Sequence, residues 1–183
     1  MVQFGTIDSG KTHPGQVMNS KVEAAVNQQI QVEFQASYEY LAMSARFEEL
    51  NLRGAAQWMR KQWQEEIVHA TKFFDFLIRR GGNPRLKPIS EPKVTFKTAI
   101  EAFETTLAHE QRVTRLIHEL YDLAVTERDY PLQTLLHWYI DEQVEEEEAA
   151  EEIVQSLKLA GDTGEGLFLV DRELGQRSTI DEE

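Results

Sequence analysis

The sequence has no cysteine in its 183 residues. That absence excludes a thiolate nucleophile, a disulfide, an iron–sulfur cluster and a thiolate zinc site, and leaves carboxylate, imidazole and amide groups as the available metal ligands. Basic charge is also scarce, with 19 lysines and arginines against 32 acidic side chains and a formal net charge of -13. Binding to nucleic acid or to anionic lipid draws on basic groups that neutralise phosphates, so no nucleic-acid or membrane partner is expected. Small cations suit the charge better. Long hydrophobic runs are missing too. No stretch of about eighteen apolar residues occurs, and no basic segment leads into an apolar one near the N-terminus, so a cytoplasmic protein is expected. With 41% hydrophobic residues at the length of one domain, the chain can still bury a substantial core.

Proline occurs only five times and glycine ten, and both fall where helical periods break. Residues 1–19 read as a flexible arm. Four helical periods follow. The first opens at Ser20, where Ser-Lys-Val-Glu offers a capping box through Glu23, and carries Val26, Ile30, Glu33, Ser37 and Tyr40 on one face to about Asn51. The second starts near Gly54, carries Met59, Gln62, Glu66, His69, Phe73 and Phe76, and stops at Gly81-Gly82. Pro84, Pro88 and Pro92 then mark a connection longer than antiparallel neighbours need. The third period shows Phe96, Ile100, Phe103, Leu107, Glu110, Thr114, Ile117, Tyr121 and Ala124. After a short turn and Pro131, the fourth carries Leu132, Leu136, Tyr139, Gln143, Glu146, Ala150, Ile153 and Leu157, closed by Gly161. A short fifth segment, Leu167 to Leu174, precedes a polar tail at 175–183. Tight links after the first and third helices and a long one after the second predict an all-α four-helix bundle with one long crossover, the ferritin-like arrangement, over residues 20–174.

Each apolar stripe is interrupted near its middle by groups that avoid a core: Glu33; Glu66 with His69; Glu110; and Gln143 with Glu146. One buried carboxylate alone is usually satisfied by a hydrogen bond or a basic partner. Several facing one another repel unless they take up protons or share a cation. No lysine or arginine falls at neighbouring stripe positions, and Glu66 and His69 stand three apart on one helical face, the Glu-x-x-His spacing of di-iron carboxylate bundles. A pair of divalent metals is the predicted occupant. Gln143 and Glu146 stand where a second Glu-x-x-His would put Glu and His, so one histidine ligand is missing and the second metal is expected to be held more weakly.

With those residues in view, the chain resembles the non-haem ferritins of bacteria over roughly Asn19 to Leu174. The resemblance rests on Val32-Glu33-Phe34 through Tyr38-Glu39-Tyr40, Gln64-Glu65-Glu66-Ile67-Val68-His69, His109-Glu110-Gln111, Trp138-Tyr139 and Glu142-Gln143-Val144-Glu145-Glu146. It implies a ferroxidase that oxidises Fe(II) with oxygen or hydrogen peroxide and stores ferric mineral in a hollow cage of twenty-four identical subunits. Carried over by resemblance, Glu33, Glu66 and His69 hold a first iron, and Glu66, Glu110 and Glu146 surround a second. Gln143 orients an iron-bound water or oxygen. Glu65, Glu142, Glu145 and Glu146 match a third iron site of such ferritins, and Tyr40, with Trp138 behind it, matches an electron donor to oxygen.

Other features carry less. Glu145 to Glu148 with Glu151 and Glu152 is an acidic run that would concentrate iron if it faced a cavity and would only aid solubility elsewhere. His109, His118 and His137 have no ligand partner by spacing and read as structural. Gly5 to Thr12 fits the phosphate-loop pattern G-x-x-x-x-G-K-[ST], but lacks the preceding strand and following helix that the loop needs. The rival readings are a haem-binding bacterioferritin, for which Met59 is the sole second-helix methionine and points inward, a rubrerythrin-like peroxidase, which would need cysteine, and an acidic helical interaction module without redox activity.

Overall fold

The computed structural model describes residues 18–161 and 164–176, so the Gly5 to Thr12 match, nearly all of the N-terminal arm and residues 177–183 of the tail lie outside the described residues. Five helices form: α1 (Ser20–Glu49), α2 (Arg53–Arg79), α3 (Ala99–Thr126), α4 (Tyr130–Ala160) and α5 (Gly164–Leu174), with no strand among the described residues. α1 packs chiefly on α2, and α3 on α4, through short turns at 50–52 and 127–129. Residues 80–98 cross from one pair to the other.

Two helix starts differ from the sequence reading. Asn19, not Ser20, caps α1, accepting a hydrogen bond from Lys21 N at 2.8 Å. Asparagine caps as well as serine, and Glu23 leaves the expected box to accept from Asn83 N, 3.3 Å away on the crossover. α2 has no cap of its own. Leu52 precedes it, and the cap comes from α5, where Asp171 accepts from Ala55 N at 2.9 Å. A Cβ on Gly54 would lie 1.6 Å from the Asp171 carbonyl oxygen, so glycine is required for that approach. The expected stops hold: Gly81 takes φ +70° and Gly82 N donates to Leu77 O at 2.9 Å. Asp129 caps α4 through Leu132 N and receives Arg80 in a two-pronged ion pair at 2.7 and 3.2 Å.

The crossover has no regular structure, so its backbone groups need other partners. α1 supplies them from Asn27, Gln31 and Gln35, four residues apart on one face. Asn27 donates to Asn83 O and accepts from Arg85 N, Gln31 donates to Pro88 O, and Gln35 exchanges bonds with Ser90 in both directions.

Inside, the apolar residues form two cores. One, around Phe47, Trp58, Met59 and Phe103, lies toward the α5 end; the other, around Ile30, Phe73, Ile117 and Leu136, lies toward the crossover start. The stripes of α1 and α2 are buried as read. On α3 the stripe is displaced: Ile100, Leu107, Thr114 and Tyr121 are only half-buried, while Ala102, Thr106, Val113 and Leu120 are inside. The reason is that a bundle helix contacting two neighbours buries a face wide enough to include small residues, which a count of large apolar side chains passes over. Val154 similarly replaces Ile153 on α4. α5 buries Leu174 and leans Leu167 and Val170 on the first core, leaving Phe168 and Leu169 exposed. No helix among the described residues is long and apolar enough to cross a membrane.

Candidate metal centre

Between the two cores lies a polar belt, to which each long helix contributes at matching depth. Glu33 from α1, Glu66 and His69 from α2, Glu110 from α3, and Gln143 and Glu146 from α4 are all 5% exposed or less. Three groups in the belt offer three ligand atoms within 4.8 Å of one another: Glu33, Glu66 and His69; Glu66, His109 and Glu110; and His69, Glu142 and Glu146. Glu66 belongs to two of them. A carboxylate common to two clusters stands beside both, which is where a bridging ligand would be needed.

The carboxylates are oriented by neutral groups. Gln29, one turn before Glu33, donates to its Oε1 at 2.8 Å, and Gln62 donates to Glu146 Oε2 at 2.7 Å. Tyr40 donates to Glu110 Oε1 in a short bond, and Gln143 Nε2 faces Glu110 Oε2 at 3.4 Å and Thr114 Oγ1 at 3.3 Å. Tyr139 fixes the α2 backbone by donating to His69 O at 2.6 Å, and Trp138 meets the His69 ring edge-on at 5.5 Å. Glu33 Oε2 and Glu66 Oε2 are buried without hydrogen-bond partners, the latter 3.6 Å from His69 Nδ1. Orphaned carboxylate oxygens in a dry interior cost several kcal/mol. A divalent cation relieves that cost.

The protonation pattern records the same strain. Burial, then repulsion from Glu66, pushes the Glu33 carboxyl up to about 8. Burial, then Glu146, pushes Glu110 up to about 8, against the hydrogen bonds from Tyr40 and Gln143. Burial also raises Glu66. Burial would lower His69, but its contacts with Glu142 and Glu66 outweigh this and hold it well above the usual imidazole range. Without metal the belt therefore stores protons where positive charge is wanted.

The remaining expected positions fall as follows. Glu65 is buried, Glu142 is partly buried and Glu145 is exposed. Of the four residues matched to a third iron, only Glu142 and Glu146 are grouped together, and His69 is their companion. His109, read as structural, reaches the belt: its Nε2 is buried without a partner, and burial, then Arg112, lowers its imidazole to about 4. Gln29 was also missed, since a glutamine one turn from a stripe looks like surface. Met59 is fully buried in the first core and offers nothing to a neighbouring molecule.

The family model described as Ferritin, ferritin-like domain, matches residues 23–160. A bacterial non-heme ferritin of Bacteroides fragilis is 40% identical over 161 residues, spanning 88% of this chain and 100% of that protein. One from Staphylococcus aureus is 34% identical over 167 residues, spanning 91% and 100%. Among solved structures, an open pore ferritin from the hyperthermophilic archaeon Archaeoglobus fulgidus superposes with a TM-score of 0.87 at 41% identity, covering 88% of this chain and 99% of that one.

Proposed function

The chain belongs to the ferritin family, and we propose on that footing that it takes Fe(II) as substrate, oxidises it in the belt between its four long helices and keeps ferric mineral inside a homo-oligomeric cage. The observation that carries this reading is the convergence of buried carboxylates from all four helices around a shared Glu66, with His69 beside them.

In this reading Glu33, Glu66 and His69 bind the first Fe(II), and Glu66, Glu110 and Glu146 bind the second, giving two irons per subunit. Hard anionic oxygen stabilises Fe(III) more than Fe(II), which lowers the potential and drives electron loss to oxygen or hydrogen peroxide. Gln143 holds Glu110 through its amide. Tyr40 passes an electron to the oxidant in this reading, which its bond to the same carboxylate supports. Glu65, Glu142, Glu145 and Glu146 form a third, outward iron site on the same reading. A twenty-four-subunit shell and a cytoplasmic location belong to it as well, supported by family membership and by the exposed Phe168 and Leu169 on α5, which suit burial against another subunit.

Replacing Glu66 and His69 together by alanine should abolish fast aerobic Fe(II) oxidation in stopped-flow absorbance while leaving far-ultraviolet dichroism helical. Unchanged oxidation by that variant would overturn the assignment. The acidic-module alternative predicts purified protein that takes up no stoichiometric iron. A haem Soret band in purified protein would favour the bacterioferritin alternative, against which Met59 stands buried.

A further inference from the structure

His109, half-buried but with its Nε2 fully enclosed, is the group for which the proposed function has no task. It sits on α3 beside Glu110, and adjacent helical residues diverge by about 100° about the axis, so the two would not be expected to meet one site. Yet a ring nitrogen of His109, a carboxylate oxygen of Glu66 and one of Glu110 lie within 4.8 Å of one another. The Tyr40 ring meets the His109 ring edge-on at 5.8 Å and 79°, while the Tyr40 hydroxyl bonds Glu110. One aromatic side chain thus positions both neighbours.

A histidine that serves packing normally gives its buried nitrogen a hydrogen-bond partner. The Nε2 of His109 has none, and Oε2 of Glu66 has no hydrogen bond, only the His69 Nδ1 at 3.6 Å. A buried ring nitrogen without a partner, set within 4.8 Å of two carboxylate oxygens, is the placement a shared cation satisfies. We propose that His109 is an iron ligand, giving the second Fe(II) an imidazole nitrogen alongside Glu66 and Glu110. It stands in for the histidine that α4 lacks at Glu146. The two irons are then matched, with His69 on the first and His109 on the second, and both held to Glu66. Imidazole suits Fe(II) as well as carboxylate does, so its addition tightens a site that oxygen ligands alone would hold loosely. The proposal rests on the ferroxidase reading of the same centre.

The test uses Co(II), which binds such sites without oxidation and reports its ligands through visible absorbance. Anaerobic titration of the full-length protein should give about two bound Co(II) per chain. In His109→Leu the first should bind as before, while the second weakens at least tenfold and its absorbance bands move as a nitrogen donor is lost. His109→Gln, closer in shape, should weaken it in the same direction and serves if the leucine variant folds poorly. Glu66→Ala in the same series should lose both ions. Equal second-site affinity and spectra in the wild type and a folded His109 variant would overturn the His109 proposal and leave the ferroxidase reading standing. A wild type that binds no Co(II) would overturn both. Zn(II)-soaked crystals of the wild type give a variant-free measure: a metal peak bonded to the His109 ring supports the proposal, and second-site metal bonded only to carboxylates refutes it.

Discussion

Replacing Glu33 by glutamine should stabilise the metal-free protein at alkaline pH while depriving it of metal. The Glu33 carboxyl is raised from 4.5 to about 8, first by burial and then by Glu66. Between those values it is neutral in the folded chain and ionised in the unfolded one, so the unfolded state binds fewer protons. Stability is then full below about pH 4.5, falls as pH rises through the window, and levels off above about pH 8. At 1.36 kcal/mol per unit the whole window is worth about 5 kcal/mol, and about 3 kcal/mol of it lies between roughly pH 5.5 and pH 8. The figure is a ceiling because Glu33 and Glu66 lie close enough that protonating one eases ionisation of the other.

Glutamine keeps an oxygen for the Gln29 amide, which donates at 2.8 Å in the native centre, and presents an N–H toward Glu66. It cannot ionise, so it has no such slope. For a chain of this size 1 kcal/mol corresponds to about 2–4 °C in Tm. Thermal melts of chelator-treated protein at constant ionic strength should therefore show the Tm of Glu33→Gln pulling ahead of wild type by roughly 5–10 °C as pH rises from about 5.5 to about 8.5. Adding Zn(II) should raise the wild-type Tm at alkaline pH and leave the variant nearly unmoved. Parallel Tm curves for the two proteins over that range would refute the reasoning, since they would mean that Glu33 is not a buried, uncompensated carboxyl.

Other outcomes follow from the same geometry. Zn(II) binding near pH 7 should release about three protons per chain, because Glu33 and Glu110 titrate at about 8 and His69, held well above the usual imidazole range, must also shed its proton to bind metal; calorimetry in buffers of different ionisation enthalpy measures this, and zero release contradicts it. Tyr40→Phe removes the hydroxyl that bonds Glu110 and should slow Fe(II) oxidation severalfold without changing how many Co(II) ions bind. Gly54→Ala puts a methyl 1.6 Å from the Asp171 carbonyl oxygen, so α5 must move away and the α2 cap with it, costing about 1–2 kcal/mol for the cap alone. Limited proteolysis should then cut near α5, and an uncut, equally stable variant counts against that docking. Arg80→Ala leaves Asp129 with no guanidinium and should lower stability by about 1–3 kcal/mol in chemical denaturation.

Which parts of this were legible in the sequence depends on the kind of fact involved. Helix number, the long crossover and the stops at Gly81 and Gly161 were readable because glycine, proline and a period of three to four are local signals. The belt was readable because Glu33, Glu66, His69, Glu110, Gln143 and Glu146 break stripes that are otherwise apolar, and all six prove to be buried. Partners that meet only in three dimensions were not readable. Asp171 caps a helix more than a hundred residues earlier, and Asn27, Gln31 and Gln35 look like a solvated face until the crossover lies on them. His109 escaped for a subtler reason: it stands beside its stripe, and spacing along one helix cannot show that its ring nitrogen comes within 4.8 Å of Glu66 on another helix.

The division into two cores explains how so unfavourable a belt survives. Four buried carboxyl groups in a single small core would compete with the packing around them. Here the helices are already clamped by apolar contacts on both sides, around Phe47, Trp58 and Phe103 at one end and Ile30, Phe73 and Leu136 at the other. Each side-chain amide, from Gln29, Gln62 and Gln143, supplies one hydrogen bond without adding charge, so it aims a carboxylate and leaves its repulsion intact. A lysine in such a place would have neutralised the site and spoiled it for a cation. The arrangement keeps the ligands fixed and the electrostatic stress unrelieved until ions arrive, and that stress is what turns metal entry into proton exit.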